Sequence, residues 1–237
     1  MSKQNSFEFK QFKIIQDKCA MKVGTDAVLV GAWTEYYKPK RILDIGTGTG
    51  IIAIMMAQKF PQASIDAIDI DTNSFIQAIE NVSNSPWKER ISVQLTALQD
   101  FICADKYDII VTNPPYFINS FKAPEESRTL ARHTDELPFE ILIESVKELL
   151  RPKGNFYLIL PSKEAEIFNG LAQQYNLYLT KRMKVRTKRD KEDIKRCLLR
   201  YELEKNPYSE LELIIEEETP MSYTEEYKEL TKEFYKR

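Results

Sequence analysis

The chain has no run of eighteen or more apolar residues, so no segment reads as a membrane-spanning helix. Its opening, MSKQNSFEFKQF, lacks the apolar stretch of a secretory signal, and the expected compartment is the cytoplasm. Cysteine is scarce. Cys19, Cys103 and Cys197 are odd in number, far apart and without CxxC spacing, which argues against a disulfide framework or a zinc site; they read as free thiols, and no metal is expected. Repeats and low-complexity linkers are missing too. So is an excess of either charge: the formal net charge is −2, which points neither toward nor away from nucleic acid. What remains is a 237-residue chain, 43% hydrophobic and 30% charged, the composition of one soluble globular domain. Its charge is unevenly placed. Residues 181–200, KRMKVRTKRDKEDIKRCLLR, carry ten Lys/Arg against three acids, and the stretch after residue 201 is rich in glutamate. Such a run is either a solvated strand pair of mixed charge or a basic patch.

KRILDIG (40–46) and SIDAIDI (64–70) read as short buried strands separated by the apolar helical stretch IIAIMMAQKF, a β-α-β unit. DTNSFIQAIENVSNS continues with Phe75, Ile76, Ile79 and Val82 at helical spacing. ISVQL and YDIIVT supply two more strands, and after a polar stretch at 118–137 PFEILIESVKELL opens a helix on proline. RPKG is expected as a turn, NFYLIL as a strand, and SKEAEIFNGLAQQY as a helix with Ser162 at its N-cap. The alternation predicts a Rossmann-like α/β fold with a doubly wound, mostly parallel, seven-stranded sheet. LYLTKRMKV and IKRCLLRYELE lack a helix-length connection and are expected as a C-terminal antiparallel hairpin of that sheet. Residues 1–38, with Phe7, Phe9 and Phe12, read as an extension packed on a domain spanning 39–237.

LDIGTGTGI sets Gly46, Gly48 and Gly50 between the first strand of that unit and its helix, where a ligand approaches backbone amides. A dinucleotide fingerprint, G-x-G-x-x-G, requires glycine where Ile51 stands. The pattern is instead D-x-G-x-G-x-G. A carboxylate at Asp44 repels a pyrophosphate and attracts an ammonium, so the loop, with Thr47, favours S-adenosylmethionine, which carries an amino-acid head. Asp69 at the end of the next strand is placed to accept hydrogen bonds from two ribose hydroxyls, with Ile70 beside it and Asp71 as a competitor. A tight turn without ligand is the alternative for each glycine.

VTNPPYF (111–117) ends a strand at the same sheet edge. The Asn113 side-chain carbonyl and the Pro114 carbonyl, held by proline, form two converging acceptors for an exocyclic amine on an aromatic ring. They pull its nitrogen toward tetrahedral geometry without a strong base, while Tyr116, or Phe117, stacks on the ring for about 1–3 kcal/mol.

Together LDIGTGTG and NPPY resemble two motifs of the class I S-adenosylmethionine-dependent amino-methyltransferases. FKQFKIIQDKCAMKVGTDAVLVGAW, ENVSNSPWKERI and YTEEYKELTKEFY extend the resemblance over essentially the full length, to the bacterial tRNA1(Val) adenine-N6 methyltransferase family, which modifies the adenine 3′ of the anticodon. The resemblance implies that Asp44, Gly46, Gly48 and Asp69 bind cofactor and that Asn113, Pro114, Pro115 and Tyr116 form the catalytic loop. Many relatives carry an acid after the next strand, where this chain has TALQD, leaving the Leu98 backbone or Asp100 to meet the cofactor's adenine. MKVGTDAVLVGAW is expected to cover the cofactor, with Lys22, Thr25 and Asp26 as contacts, or with Thr25 or Asp26 capping a helix.

The implied partner is a tRNA anticodon stem-loop, bound by a monomer without a membrane. Its phosphates require cations, taken from Lys184, Arg186, Lys188 and Arg189 in the basic run and from Arg128 and Arg132 after NPPY. His133, the single histidine, reads as an exposed loop residue. Since NPPY is shared with protein-glutamine and rRNA guanine-N2 methyltransferases, both stand as alternatives, followed by a non-catalytic RNA-binding protein and an NAD dehydrogenase.

Overall fold

The computed structural model describes residues 5–19, 22–114 and 137–236. Five strands run parallel: β3 (Arg41–Ile45), β4 (Ser64–Asp69), β5 (Ile91–Leu95), β6 (Tyr107–Thr112) and β7 (Leu150–Pro161). Every residue of β6 is buried, as a central strand covered on both faces requires. Successive side chains divide between two cores. Ile109 and Val111 pack with Val28, Met55 and Tyr157 on one face, and Ile110 packs with Leu43, Leu142 and Phe168 on the other. The first face is covered by α1 (Thr25–Trp33), α2 (Ile51–Lys59), α3 (Thr72–Ser83) and the C-terminal α6 (Glu225–Thr231). The second lies under α4 (Phe139–Leu149) and α5 (Ser162–Gln174).

Among the described residues the main sheet holds eight strands, in the order β10-β8-β9-β7-β6-β3-β4-β5, one more than the sequence pattern predicts. The expected hairpin is present as β8 (Tyr178–Lys188) and β9 (Arg196–Glu202), with β9 inserted antiparallel between β7 and β8. The additional strand is β10 (Ser209–Glu216), SELELIIE, parallel to β8. Its register sets Glu210 against Arg182, Glu212 against Lys184 and Glu216 against Lys188. Opposite charges across neighbouring strands favour that pairing, and glutamate suits an edge.

Two local expectations change. RPKG is not a turn before the strand but part of β7: Tyr107 pairs with Leu150 and Ile109 with Asn155, so the intervening residues form a bulge in the register. Gly154 is required there because a Cβ would lie 2.7 Å from Leu150 Cδ1 and 2.9 Å from the Tyr107 carbonyl. Ser162 does not cap α5; Pro161 holds the N-cap position, and the Ser162 hydroxyl donates instead to the Ile194 carbonyl at 2.5 Å.

At the N-terminus, β1 (Ser6–Glu8) and β2 (Lys13–Ile15) form a separate hairpin. Phe9 stacks between Phe12 (centroids 4.5 Å apart) and Tyr235 (5.7 Å), which joins the two ends of the chain.

Candidate active site

Ile45 of β3 pairs with Ile68 of β4 and with Thr112 of β6, so Gly46, Asp69 and Asn113 leave three adjacent strands at one edge. Here the connections diverge to opposite sides of β3, the switch point where open α/β sheets bind ligands. The Thr112 hydroxyl donates to the Ile45 carbonyl at 2.8 Å and holds the two strands together beneath the opening.

The glycine turn spends its amides within the protein. Gly46 N and Thr47 N donate to the Ile68 carbonyl (2.9 and 3.0 Å), Gly48 N to Asp69 Oδ2 (2.8 Å) and Gly50 N to the Thr47 carbonyl (2.9 Å). A pyrophosphate site needs such amides turned toward the ligand, so this geometry disfavours a dinucleotide. Gly46 and Gly48 have φ of 67° and 56°, and a Cβ on either would meet no atom of the described residues within 4 Å. At Gly50 the space is closed, because a Cβ would press on Ala78 at 3.4 Å.

Asp44 is fully buried beneath this turn. Its Oδ2 accepts from the Thr47 hydroxyl (2.6 Å) and Ala53 N (3.1 Å), whereas Oδ1 is buried with no hydrogen-bond partner among the described residues. Burial pushes its carboxyl up to about 7; the bonds from Thr47 and Ala53 oppose that shift, and nearby Asp69 adds to it. An orphaned acceptor of this kind fits a cationic head such as an ammonium. Thr47, 3% exposed, therefore acts on Asp44 through its hydroxyl.

Asp69, raised mainly by burial, accepts from Gly48 N and, through Oδ1, from Asp71 N at 2.9 Å. Asp71 caps α3, accepting from Ser74 N at 2.8 Å, so the competitor for the ribose has another task. Ile70 is half exposed beside Asp69. The Leu98 side chain is buried in the core, and Asp100 is exposed.

The segment before α1 runs along the same rim. Cys19 Sγ lies 3.8 Å from Ser74 Oγ, and its thiol is raised chiefly by burial, with Asp69 and Asp71 adding to the effect. Lys22 donates to the Gln16 and Cys19 carbonyls. Thr25, exposed, and Asp26 open α1, but Gly24 occupies the N-cap and no side chain caps the helix. Asp26 instead pairs with Arg196 of β9 at 2.7 Å.

Asn113 is half-buried and Pro114 buried directly after β6. Pro115, Tyr116, Phe117, Arg128, Arg132 and His133 lie outside the described residues.

The basic run is matched by acids. Lys184 meets Glu210 (2.6 Å), Arg186 meets Glu212 (2.9 Å), Lys188 meets Glu216 (3.9 Å) and Arg189 meets Glu217 (2.5 Å). Strand β8 is parallel to β6, which brings Lys188 and Arg189 to the same sheet edge as Asn113. The two strands are three positions apart, about 14 Å at ~4.8 Å per strand.

Sequence reasoning missed two polar residues on the buried face of α3. Asn81, 1% exposed, accepts from Ile15 N (2.7 Å) and donates to the carbonyls of Ile15 and Thr49 (both 2.8 Å). Gln77, fully buried, accepts from Lys18 N at 2.9 Å. Both tie the N-terminal segment to the site. The available signal was their place in the helix: Gln77 and Asn81 lie four apart, flanking buried Ala78 and Val82.

The family profile described as "methyltransferase small domain" matches residues 21–177. A curated tRNA1(Val) (adenine(37)-N6)-methyltransferase from Bacteroides thetaiotaomicron is 46% identical over 97% of this chain and 96% of its own length. Among solved structures, a predicted O-methyltransferase from Agrobacterium tumefaciens aligns with a TM-score of 0.69 at 17% identity, covering 88% of this chain and 96% of that one. The N-methyltransferase NodS from Bradyrhizobium japonicum, solved with S-adenosyl-L-homocysteine, aligns at 0.52 and 15% identity over 73% of this chain and 82% of its own. Both structural likenesses show the class I methyltransferase fold. By the profile over most of its core and the identity over nearly its whole length, the chain belongs to the tRNA1(Val) adenine-N6-methyltransferase family of the methyltransferase small-domain group.

Proposed function

We propose that this methyltransferase takes a methyl group from S-adenosylmethionine and puts it on the N6 amine of the adenine 3′ of a tRNA anticodon, that of a valine tRNA by kinship, in the cytoplasm. One observation carries the reading: at a single strand switch point, a buried carboxylate with an oxygen unpartnered among the described residues (Asp44), a glycine turn braced by Asp69 with no described atom against Gly46 or Gly48, and Asn113 of NPPY come together. When bound, S-adenosylmethionine supplies an electrophilic methyl on a positively charged sulfur. Asp44 would hold its ammonium, Gly46 and Gly48 leave room for its backbone approach, Asp69 accepts from the ribose, and Ile70 with the Leu98 backbone borders the adenine. Lys22, Thr25 and Asp26 belong to the segment that closes over it.

The Asn113 amide oxygen and the Pro114 carbonyl accept the two N–H bonds of the target amine and localise its lone pair. The proton lost from nitrogen leaves to water, and most of the acceleration comes from alignment and fixed dipoles. Tyr116 or Phe117 stacks on the base. Arg128, Arg132 and the cations of β8 face the phosphates. Exposed ion pairs are worth about 0–1 kcal/mol, so Arg186, Lys188 and Arg189 exchange a glutamate for a phosphate at small cost. Residues 1–38 are an extension packed on the core and 39–237 the catalytic domain of a monomer.

The test is incubation with labelled S-adenosylmethionine and total tRNA from a strain lacking the gene, followed by nucleoside analysis. Label in N6-methyladenosine is the expected outcome. Label in protein would favour glutamine methylation and overturn the proposal.

A further inference from the structure

A groove runs between α5 and β8, away from the glycine turn. It consists of two depressions, of about 750 and 330 Å³, that share Glu166 and Arg182 as a common wall. One end lies at Ser162 and Lys163, just past the carboxyl end of β7, on the edge of the sheet that carries Asn113. The other end is framed by Tyr178, Lys205 and Tyr208. From Tyr178 to Lys184 the strand wall is about 20 Å long at ~3.3 Å per residue, and α5 gives a similar length at ~1.5 Å per residue.

The lining is selective in charge. Lys163, Arg182, Lys184 and Lys205 face it, with Glu166 as the single acid among the lining residues. Arg182 is spent on Glu166 at 2.7 Å and Lys184 on Glu210 at 2.6 Å, but Lys163 and Lys205 form no ion pair among the described residues. Arg182, 8% exposed, keeps a buried Nε without a partner among the described residues. Lys205 Nζ stands 5.3 Å from the Tyr178 ring centroid. Tyr208 is 51% exposed while its hydroxyl donates to Glu210 at 2.7 Å, so the ring is anchored with area left for stacking. Amides at Asn169, Gln173 and Asn206 complete the wall. Unpaired ammonium groups, an anchored open aromatic ring and amides match the phosphates, base faces and base edges of a nucleic-acid strand.

We propose that this groove binds the strand of substrate RNA flanking the target base, holding about six nucleotides at ~3.4 Å rise per stacked nucleotide. The proposal rests on the tRNA reading above and adds to it a contact zone remote from the methyl donor.

The test compares tRNA binding by the full chain and its Lys205→Glu and Tyr208→Ala variants across a salt series, with Lys106→Glu, exposed before β6 and outside the groove lining, controlling for net charge. Lys205→Glu is expected to weaken binding about 10-fold at low salt and to lower the salt slope by about 1. Tyr208→Ala is expected to weaken it about 5-fold or more with the slope unchanged. The melting-temperature rise with S-adenosylmethionine verifies the fold and the cofactor site; Lys205→Gln replaces the charge reversal if that variant melts early. Binding and slope equal to the unmodified protein in both variants, or a loss matched by Lys106→Glu, overturns the groove assignment, as does binding of an acidic peptide there in place of RNA. If the unmodified protein neither binds nor methylates tRNA, the proposed function itself has failed.

Discussion

Gly48 N donates to Asp69 Oδ2 at 2.8 Å, so the carboxylate that closes β4 also holds the turn that follows β3. Its second oxygen accepts from Asp71 N at 2.9 Å. A carboxylate has about four acceptor sites, which leaves capacity for ribose hydroxyls while the turn stays fixed. Asp69→Ala orphans the Gly48 amide and is expected to cost about 1–3 kcal/mol in urea denaturation, with loss of the cofactor-induced rise in melting temperature. Asp69→Asn keeps one acceptor oxygen, so its fold should be less affected than its cofactor affinity. An undiminished cofactor shift in Asp69→Ala would refute the ribose role.

The buried carboxyl of Asp44 gives the free protein a pH signature. Its pKa rises from 3.8 to about 7 on folding, so the group stabilises the fold fully below about 4, and that contribution is lost as pH climbs through 7. The decline is on the order of a few kcal/mol, since each tenfold change in proton affinity is worth ~1.4 kcal/mol. Relative to Asp44→Asn, the unmodified protein should lose stability between pH 5 and pH 7.5 by chemical denaturation. A cationic ligand favours the ionised carboxylate, so the affinity for S-adenosylmethionine should rise across pH 6 to 8. Parallel pH profiles in the two proteins would contradict the assignment.

Asn81 connects the glycine loop to the N-terminal hairpin through three hydrogen bonds. Asn81→Ala leaves buried groups of Ile15 and Thr49 unsatisfied, with an expected cost of about 2–4 kcal/mol. Cofactor binding, followed by calorimetry, should weaken as the Thr49 end of the loop loosens. Full stability in this variant would mean that water or a local shift replaces the amide.

For Asn113→Ala, methyl transfer to tRNA is expected to fall about 100-fold or more, by analogy with removal of one fixed dipole from an active site. Affinity for tRNA should change little. The separation is read from single-turnover rates beside equilibrium binding, and unchanged turnover would remove Asn113 from catalysis.

The β8–β10 ladder predicts a gain. Glu212→Gln frees Arg186 from its partner at 2.9 Å. Stability should move by no more than about 1 kcal/mol, because the pair is partly exposed. tRNA binding should tighten at low salt with a slope steeper by about 1. If neither changes, the cations of β8 do not meet the phosphates.

The sequence by itself determined the alternation of strands and helices, the glycine turn after Asp44, Asp69 at the end of the next strand and NPPY at the end of β6. These are short-range patterns: period-two burial, helical spacing and turn residues act within a few positions of one another. Tertiary structure alone decided the rest. It paired SELELIIE with the basic strand and thereby matched Lys184, Arg186, Lys188 and Arg189 with glutamates. It also turned Ser162 to Ile194, gave Asp71 to the cap of α3 and set Asn81 between Ile15 and Thr49. Where both partners of a bond come from distant parts of the chain, a polar side chain carries no local mark of which one it will meet; the packing of strands and helices makes that choice, because each buried donor and acceptor must be satisfied within the space the cores leave.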